Sequence, residues 1–273
     1  MWGVFPLYFK SLANVQAVEV LGHRIVWSAL LTALLVLALG RGGALAAVFR
    51  DHKRLLGLTG SALAITVNWG CYIWAVGHGH ALDASIGYFL HPLASVLLGR
   101  IFLKERLNRR QGVAVGLVCV GIAVLAFGLG HLPWVAVTLA VSFGFYGLLR
   151  KVVPVDALVG LTVETLLLLP FALAYLWTRN HGGALLSAGA ATQALLLASG
   201  PVTTIPLVLF AFGARRLKLA TLGLMQYVNP TMQMSIAVLA FGEAFTPVHA
   251  VTFAFIWSGL LVYSLPFPRR GAT

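Results

Sequence analysis

Nine stretches of this chain are apolar for long enough to cross a lipid bilayer, and that leaves one fold class open. They fall near residues 21–40, 55–77, 84–103, 111–128, 132–149, 158–177, 193–213, 219–241 and 249–267, each close to the roughly 17–25 residues a helix needs to traverse the hydrocarbon core. Inside hydrocarbon every backbone amide must be satisfied within its own segment, so the expected fold is all-α and polytopic. Composition agrees: 60% of the 273 residues are hydrophobic and 10% charged, and the mean hydropathy is +0.93. That is too little charge to solvate a water-facing surface. Residues 1–9, MWGVFPLYF, are apolar as well, but would rise only ~13 Å as a helix. They read as the C-terminal half of a first helix whose beginning is missing, which brings the helix count to ten.

The net charge of +12 follows the linkers rather than any separate domain: 16 of the 19 Lys and Arg lie in alternate linkers, such as Arg50, Lys53 and Arg54, or Arg150 and Lys151. By the positive-inside rule these linkers and the C-terminus are cytoplasmic. Without a discrete basic surface, nucleic acid is not an expected partner. Cys71 and Cys119 lie inside apolar runs and read as small buried side chains. No cleavable signal peptide is visible, since Met1 to Lys10 has neither a basic n-region nor a small-residue cleavage site.

The chain also repeats itself. Ser85 to Glu105, SIGYFLHPLASVLLGRIFLKE, is echoed by Thr221 to Glu243, TLGLMQYVNPTMQMSIAVLAFGE. Pro92 matches Pro230 and Glu105 matches Glu243 at an offset of 138, whereas Gly87 matches Gly223 at 136. Counting the partial helix, each half holds five spans. An odd number brings the second copy in from the opposite side, so the repeat is expected to be inverted. The organisation expected is one transmembrane domain, 1–273, built from halves 1–150 and 151–273.

An apolar helix with a proline near its middle and polar groups beside it, once per half, points to a transporter site. Pro92 and Pro230 are the expected helix breaks. Tyr88, His91 and Ser95 share one helix face by i, i+3, i+7 spacing, and Gln226, Asn229 and Gln233 are their equivalents; Tyr227 lies beside them. Two polar stripes at mid-span depth would face a central cavity. The third span adds Asn68, Trp69, Tyr72 and Trp74, and the sixth adds Tyr146, giving flat apolar walls with polar tips. Hydrogen bonding to neighbouring helices is the structural alternative for these groups. Trp134 and Trp177, near span ends, read as interface anchors.

Glu164, about six residues inside the seventh span, is the sharpest single residue, because a carboxylate there is costly and defaults to function. A carboxyl that binds and releases a proton would couple transport to a proton gradient. Its counterpart is Arg24, and inverted symmetry puts the two at opposite depths, ~12–18 Å apart vertically. They read as coupling or gating groups at opposite gates and not as a pair. Glu19, Glu105 and Glu243, at span ends, read as solvated or capping groups. His78, His80 and Asp83 put three donors in one short loop without cysteine, so no metal is expected. No G-x-x-x-x-G-K-[ST] occurs, hence no ATPase, and no cofactor is expected. Seven scattered acids supply no paired carboxylates for an enzyme.

EVLGHRIVWS at 19–28, NWGCYIWAVGHGHALDASIGYFLHPLASVLLGRIFLKERL at 68–107, SFGFYGLLRKV at 142–152 and TLGLMQYVNPT at 221–231 closely resemble the RarD branch of the EamA-type proteins in the drug/metabolite transporter superfamily. The resemblance covers essentially the whole chain. It implies ten helices as a 5+5 inverted repeat in the bacterial inner membrane, a central cavity and alternating access. His91 stands where the branch typically has Asn before the proline, which introduces a titratable group. The expected function is a secondary transporter exporting small organic metabolites or drugs. A membrane sensor or assembly subunit that transports nothing is the alternative.

Overall fold

The computed structural model describes residues 2–104, 109–130, 132–178, 183–216 and 228–264, and within them the side chains of all but 92–93, 95–96, 111, 129, 207–208, 210–216 and 263–264. Every regular element described is helical. A 3-10 turn, Trp2–Val4, leads into α1 (Phe5–Lys10). There follow α2 (Ala17–Ala38), α3 (Gly42–Arg50), α4 (His52–Gly77), α5 (Ala81–Phe102), α6 (Arg109–Leu129), α7 (Trp134–Val152) and α8 (Ala157–Thr178). The short α9 (Ala184–Ser187) precedes α10 (Ala190–Arg216). Next, α11 (Val228–Ser235) runs on into a π-helical turn at Ile236–Ala240, and α12 (Pro247–Ser264) closes the described chain.

The apolar runs and the long helices coincide to within a few residues at most ends. Among the described residues, Ala17–Ala38, His52–Gly77, Trp134–Val152 and Ala157–Thr178 meet the length and hydropathy needed to cross a membrane. Local chemistry sets the ends: the Asp51 carboxylate accepts from the amides of Lys53 and Arg54, both at 3.1 Å, and so caps α4. Gly79, at φ 78°, makes the reversal from α4 into α5, where a Cβ would be strained. The basic linker after α2 is itself helical. In α3, Leu45 and Val48 pack on Leu58, Val159 and Val163.

One expectation is corrected. Pro92 does not break its helix, because α5 is continuous from Ala81 to Phe102; a proline removes one backbone hydrogen bond, which packing inside a bundle tolerates. Pro170, Pro201 and Pro206 likewise lie inside α8 and α10. Pro230 falls in the first turn of α11, and residues 221–227 lie outside the described residues.

The principal helix pairs are α2 with α8 and α10, α4 with α7, α5 with α7, and α6 with α12. Small residues bring these backbones together, as is usual in membrane bundles. A Cβ added at Gly87 would lie 2.9 Å from both Ala136 O and Leu139 Cβ, one at Gly200 2.7 Å from Trp27 O, and one at Gly259 2.9 Å from Ala114 O. At the end of the bundle where α5 begins, both carboxylate oxygens of Glu243 accept backbone amides, from Ala81 and Leu82 at 2.8 Å each. Glu19, buried nearby, accepts the amide of Ala184. Both carboxylates are therefore caps, and Glu105 lies outside the described residues.

Candidate solute cavity and buried carboxyl

Helical geometry assembles the cavity wall. On α4, Asn68 and Tyr72 are one turn apart and Trp69 lies ~60° from Tyr72 around the axis, so all three turn inward. On α5, Tyr88 and His91 are spaced i, i+3 and face them. These residues, with Ile65, Phe143 of α7, Arg24 of α2, Trp2 and Phe5 at the N-terminus, and Asn229, Pro230 and Gln233 of α11, line one cavity. Its volume of ≈ 90 Å³ is several times the ~10–15 Å³ that admits one water.

Cross-links hold the wall in shape. The Asn68 amide donates to Leu139 O at 3.0 Å and to Ser142 Oγ at 3.1 Å, which ties α4 to α7. Tyr88 donates a longer 3.4 Å bond to Asn68 Oδ1 and packs on Tyr72, with ring centroids 5.4 Å apart. His91 meets the Phe143 ring edge-on at 4.4 Å. Ser85 donates to Pro230 O at 2.9 Å, joining the two proline-bearing helices, and Gln233 Nε2 donates to Trp2 O at 3.2 Å.

Arg24 is 5% exposed. Its Nε–H donates to Thr203 Oγ1 at 2.7 Å, and its guanidinium lies over the Trp69 ring at 4.1 Å and the Phe9 ring at 5.4 Å. Stacking on aromatic faces is a favourable way to hold a desolvated cation.

Glu164 does not line this cavity. It is 1% exposed and forms a second centre with Ser61, whose hydroxyl donates to Oε1 at 2.5 Å, and with Arg150, whose Nη1 is 3.6 Å from the same oxygen. Arg150 Nη2 also reaches the carbonyls of Asp156 and Ala157 at 3.3 and 3.4 Å. The phenol of Tyr146 interacts with the Glu164 carboxyl. Tyr146 in turn packs on Phe143, centroids 5.7 Å apart, so an aromatic pair separates the carboxyl from the cavity. By helix rise Arg24 sits ~10 Å from the start of α2 and Glu164 ~10 Å from the start of α8, at opposite ends of the bundle. They make no pair, in keeping with the geometry expected from sequence.

Of the residues singled out in the sequence, the structure therefore gathers Asn68, Trp69, Tyr72, Tyr88, His91, Asn229, Gln233 and Arg24 around one space. Trp74 lies elsewhere, stacked with His78 and His80 and packed on Trp134. Two residues beyond Tyr72 is ~200° around the helix, which turns it away. Tyr146 belongs to the carboxyl centre. The side chain of Ser95, and all of Gln226 and Tyr227, lie outside what is described. Sequence reasoning missed Trp2, Phe5, Thr203 and Arg150. A basic residue at a helix end reads as a topology signal, yet here the lack of a side chain at Gly160 opens the space its guanidinium fills.

The comparisons with known proteins agree with this architecture. The model of the EamA-like transporter family matches residues 1–127. An uncharacterized transporter of Vibrio cholerae is 45% identical over 273 residues, covering 99% of this chain and 90% of the relative. The RarD protein of Escherichia coli is 41% identical over 96% of this chain and 90% of its own length. A Pseudomonas aeruginosa protein named chloramphenicol-sensitive protein RarD is 33% identical over 94% and 87%. A crystal structure superposes with a TM-score of 0.62 over 96% of this chain and 92% of that one, at 19% identity, and shows the fold alone. Apolar helices, cavity and relatives together make this a multi-pass membrane transporter: the chain belongs to the EamA-like transporter family, as a RarD-type member of the drug/metabolite transporter superfamily.

Proposed function

We propose that this transporter exports small organic metabolites or drugs by alternating access, holding its solute in the cavity between α4, α5, α7 and α11. The observation that carries the reading is that one cavity takes its wall from both halves of the chain, so that rocking one half against the other would expose it to each side in turn.

The chain acts in this reading as two inverted five-helix repeats whose boundary lies between α6 and α7, before residue 134, rather than at the expected 150/151. The packing supports it. Exchanging the N-terminal segment for α7, α2 for α8, α4 for α10, α5 for α11 and α6 for α12 turns the α2–α10 contact into α4–α8, and the α5–α7 contact into that of α11 with the N-terminal turn. It also turns α4–α7 into the contact in which Tyr8 donates to Leu195 O at 2.6 Å, whereas α2–α8 and α6–α12 map onto themselves. The bias of Lys and Arg supports a cytoplasmic C-terminus in the inner membrane, and Glu164, behind Tyr146, is the group that would couple transport to protons.

Counterflow of labelled metabolites in proteoliposomes carrying the full chain tests the proposal. Accumulation of at least one solute is expected, with loss in Tyr227→Ala and Asn229→Ala. Unchanged transport in both variants would sink the cavity assignment. A protein that binds solutes and moves none would instead be a sensor or assembly subunit.

A further inference from the structure

Among the described residues, the wall of the cavity holds one guanidinium and no Asp or Glu. Among the described residues Arg24 takes part in no ion pair, and the phenols of Tyr8, Tyr72 and Tyr88 lie within electrostatic reach of it. A guanidinium this buried ordinarily has a carboxylate partner. Here the Nε edge is taken by Thr203 and one face by Trp69. Arg24 lines the cavity, and among the described residues no protein acceptor meets its two terminal nitrogens. They form the end-on edge of the fork, two parallel N–H groups spaced to hold a carboxylate.

We propose that the solute is an organic monoanion, a carboxylate on a flat apolar body, with the carboxylate on the end-on edge of Arg24 and the body among Trp69, Tyr72, Tyr88 and Phe143. The inference rests on reading this cavity as the solute site and narrows the chemical class that site takes. One guanidinium with no second Lys or Arg beside it among the described residues suits a single negative charge. Aromatic walls on both sides suit a planar body. A cationic solute would meet Arg24 as a like charge in a desolvated site.

Binding of matched probes to the purified full chain in detergent, by equilibrium dialysis, tests the class. The probes are three series on phenyl, indolyl and naphthyl bodies, each as the acetate, the acetamide and the ethylamine, so that size is held and charge runs from negative through neutral to positive. In at least one series the acetate is expected to bind about 10- to 100-fold tighter than the acetamide, the yield of a charge-assisted hydrogen bond in a dry site, with the ethylamine weakest. Arg24→Gln should bring acetate and acetamide within about threefold of each other, and Arg24→Lys should keep part of the preference. The wild-type comparison needs no variant: acetate and acetamide binding alike in all three series, no probe binding, or ethylamine binding tightest would each overturn the proposal. So would an acetate preference that survives Arg24→Gln in monodisperse protein. The transport reading fails separately: a protein that selects the acetate but shows no counterflow keeps this anion site and loses that reading.

Discussion

Neutralising Glu164 while Arg150 stays in place should destabilise the bundle more than removing both charges together. The two groups lie 3.6 Å apart with side chains 14% and 1% exposed, so solvent screens them little. At that distance an effective dielectric of ~20 gives a gross attraction of roughly 4–5 kcal/mol, part of which offsets the cost of desolvating both ions. Glu164→Gln leaves the guanidinium with the Asp156 and Ala157 carbonyls and no countercharge. The cost is expected at about 3 kcal/mol, and Arg150→Met, which strands the carboxylate with Ser61, should cost a similar amount. The double variant should cost no more than about 2 kcal/mol, because nothing charged is then left buried. Gly160→Ala, which pushes a methyl into the guanidinium's space, should resemble Arg150→Met. Reversible unfolding in mixed micelles gives the four free energies of the cycle. A double variant as unstable as the sum of the singles would refute the pair.

Three further outcomes follow from other contacts. Gly87→Ala should cost about 1–3 kcal/mol by driving a methyl against Ala136 O and Leu139, and should lower the thermal midpoint without altering solute selectivity. Glu243→Ala removes the bidentate cap on Ala81 and Leu82 and should cost about 1 kcal/mol, read as faster amide exchange in the first turn of α5 alone. If Glu164 couples flux to protons, Glu164→Gln should abolish stimulation of counterflow by an imposed pH gradient, and retained stimulation would remove it from that role.

The relation between sequence and site differs from residue to residue. Tyr88 and His91, or Asn68 and Tyr72, could be paired beforehand because helix periodicity alone puts residues three or four apart on one face. Trp74 was misplaced by the same measure: it was grouped with its neighbours by type, although its angle around α4 turns it to His78 and Trp134. Arg150 and Thr203 carried no such mark. The first matters because the short linker 153–156 sets the end of α7 beside Glu164, the second because α10 crosses α2 at Arg24.

By itself the sequence determined what the bilayer demands. Apolar length, linker charge and proline-bearing repeats follow from a solvent that cannot satisfy a free amide or an exposed ion, and each is legible one segment at a time. Only the tertiary structure decided which polar groups meet. Arg24 lines the cavity and Glu164 is the partner of Arg150 behind Tyr146, because both outcomes depend on how separate helices pack. Such packing is set by close approach at small residues such as Gly87 and Gly200, a property of two surfaces together that neither helix carries alone.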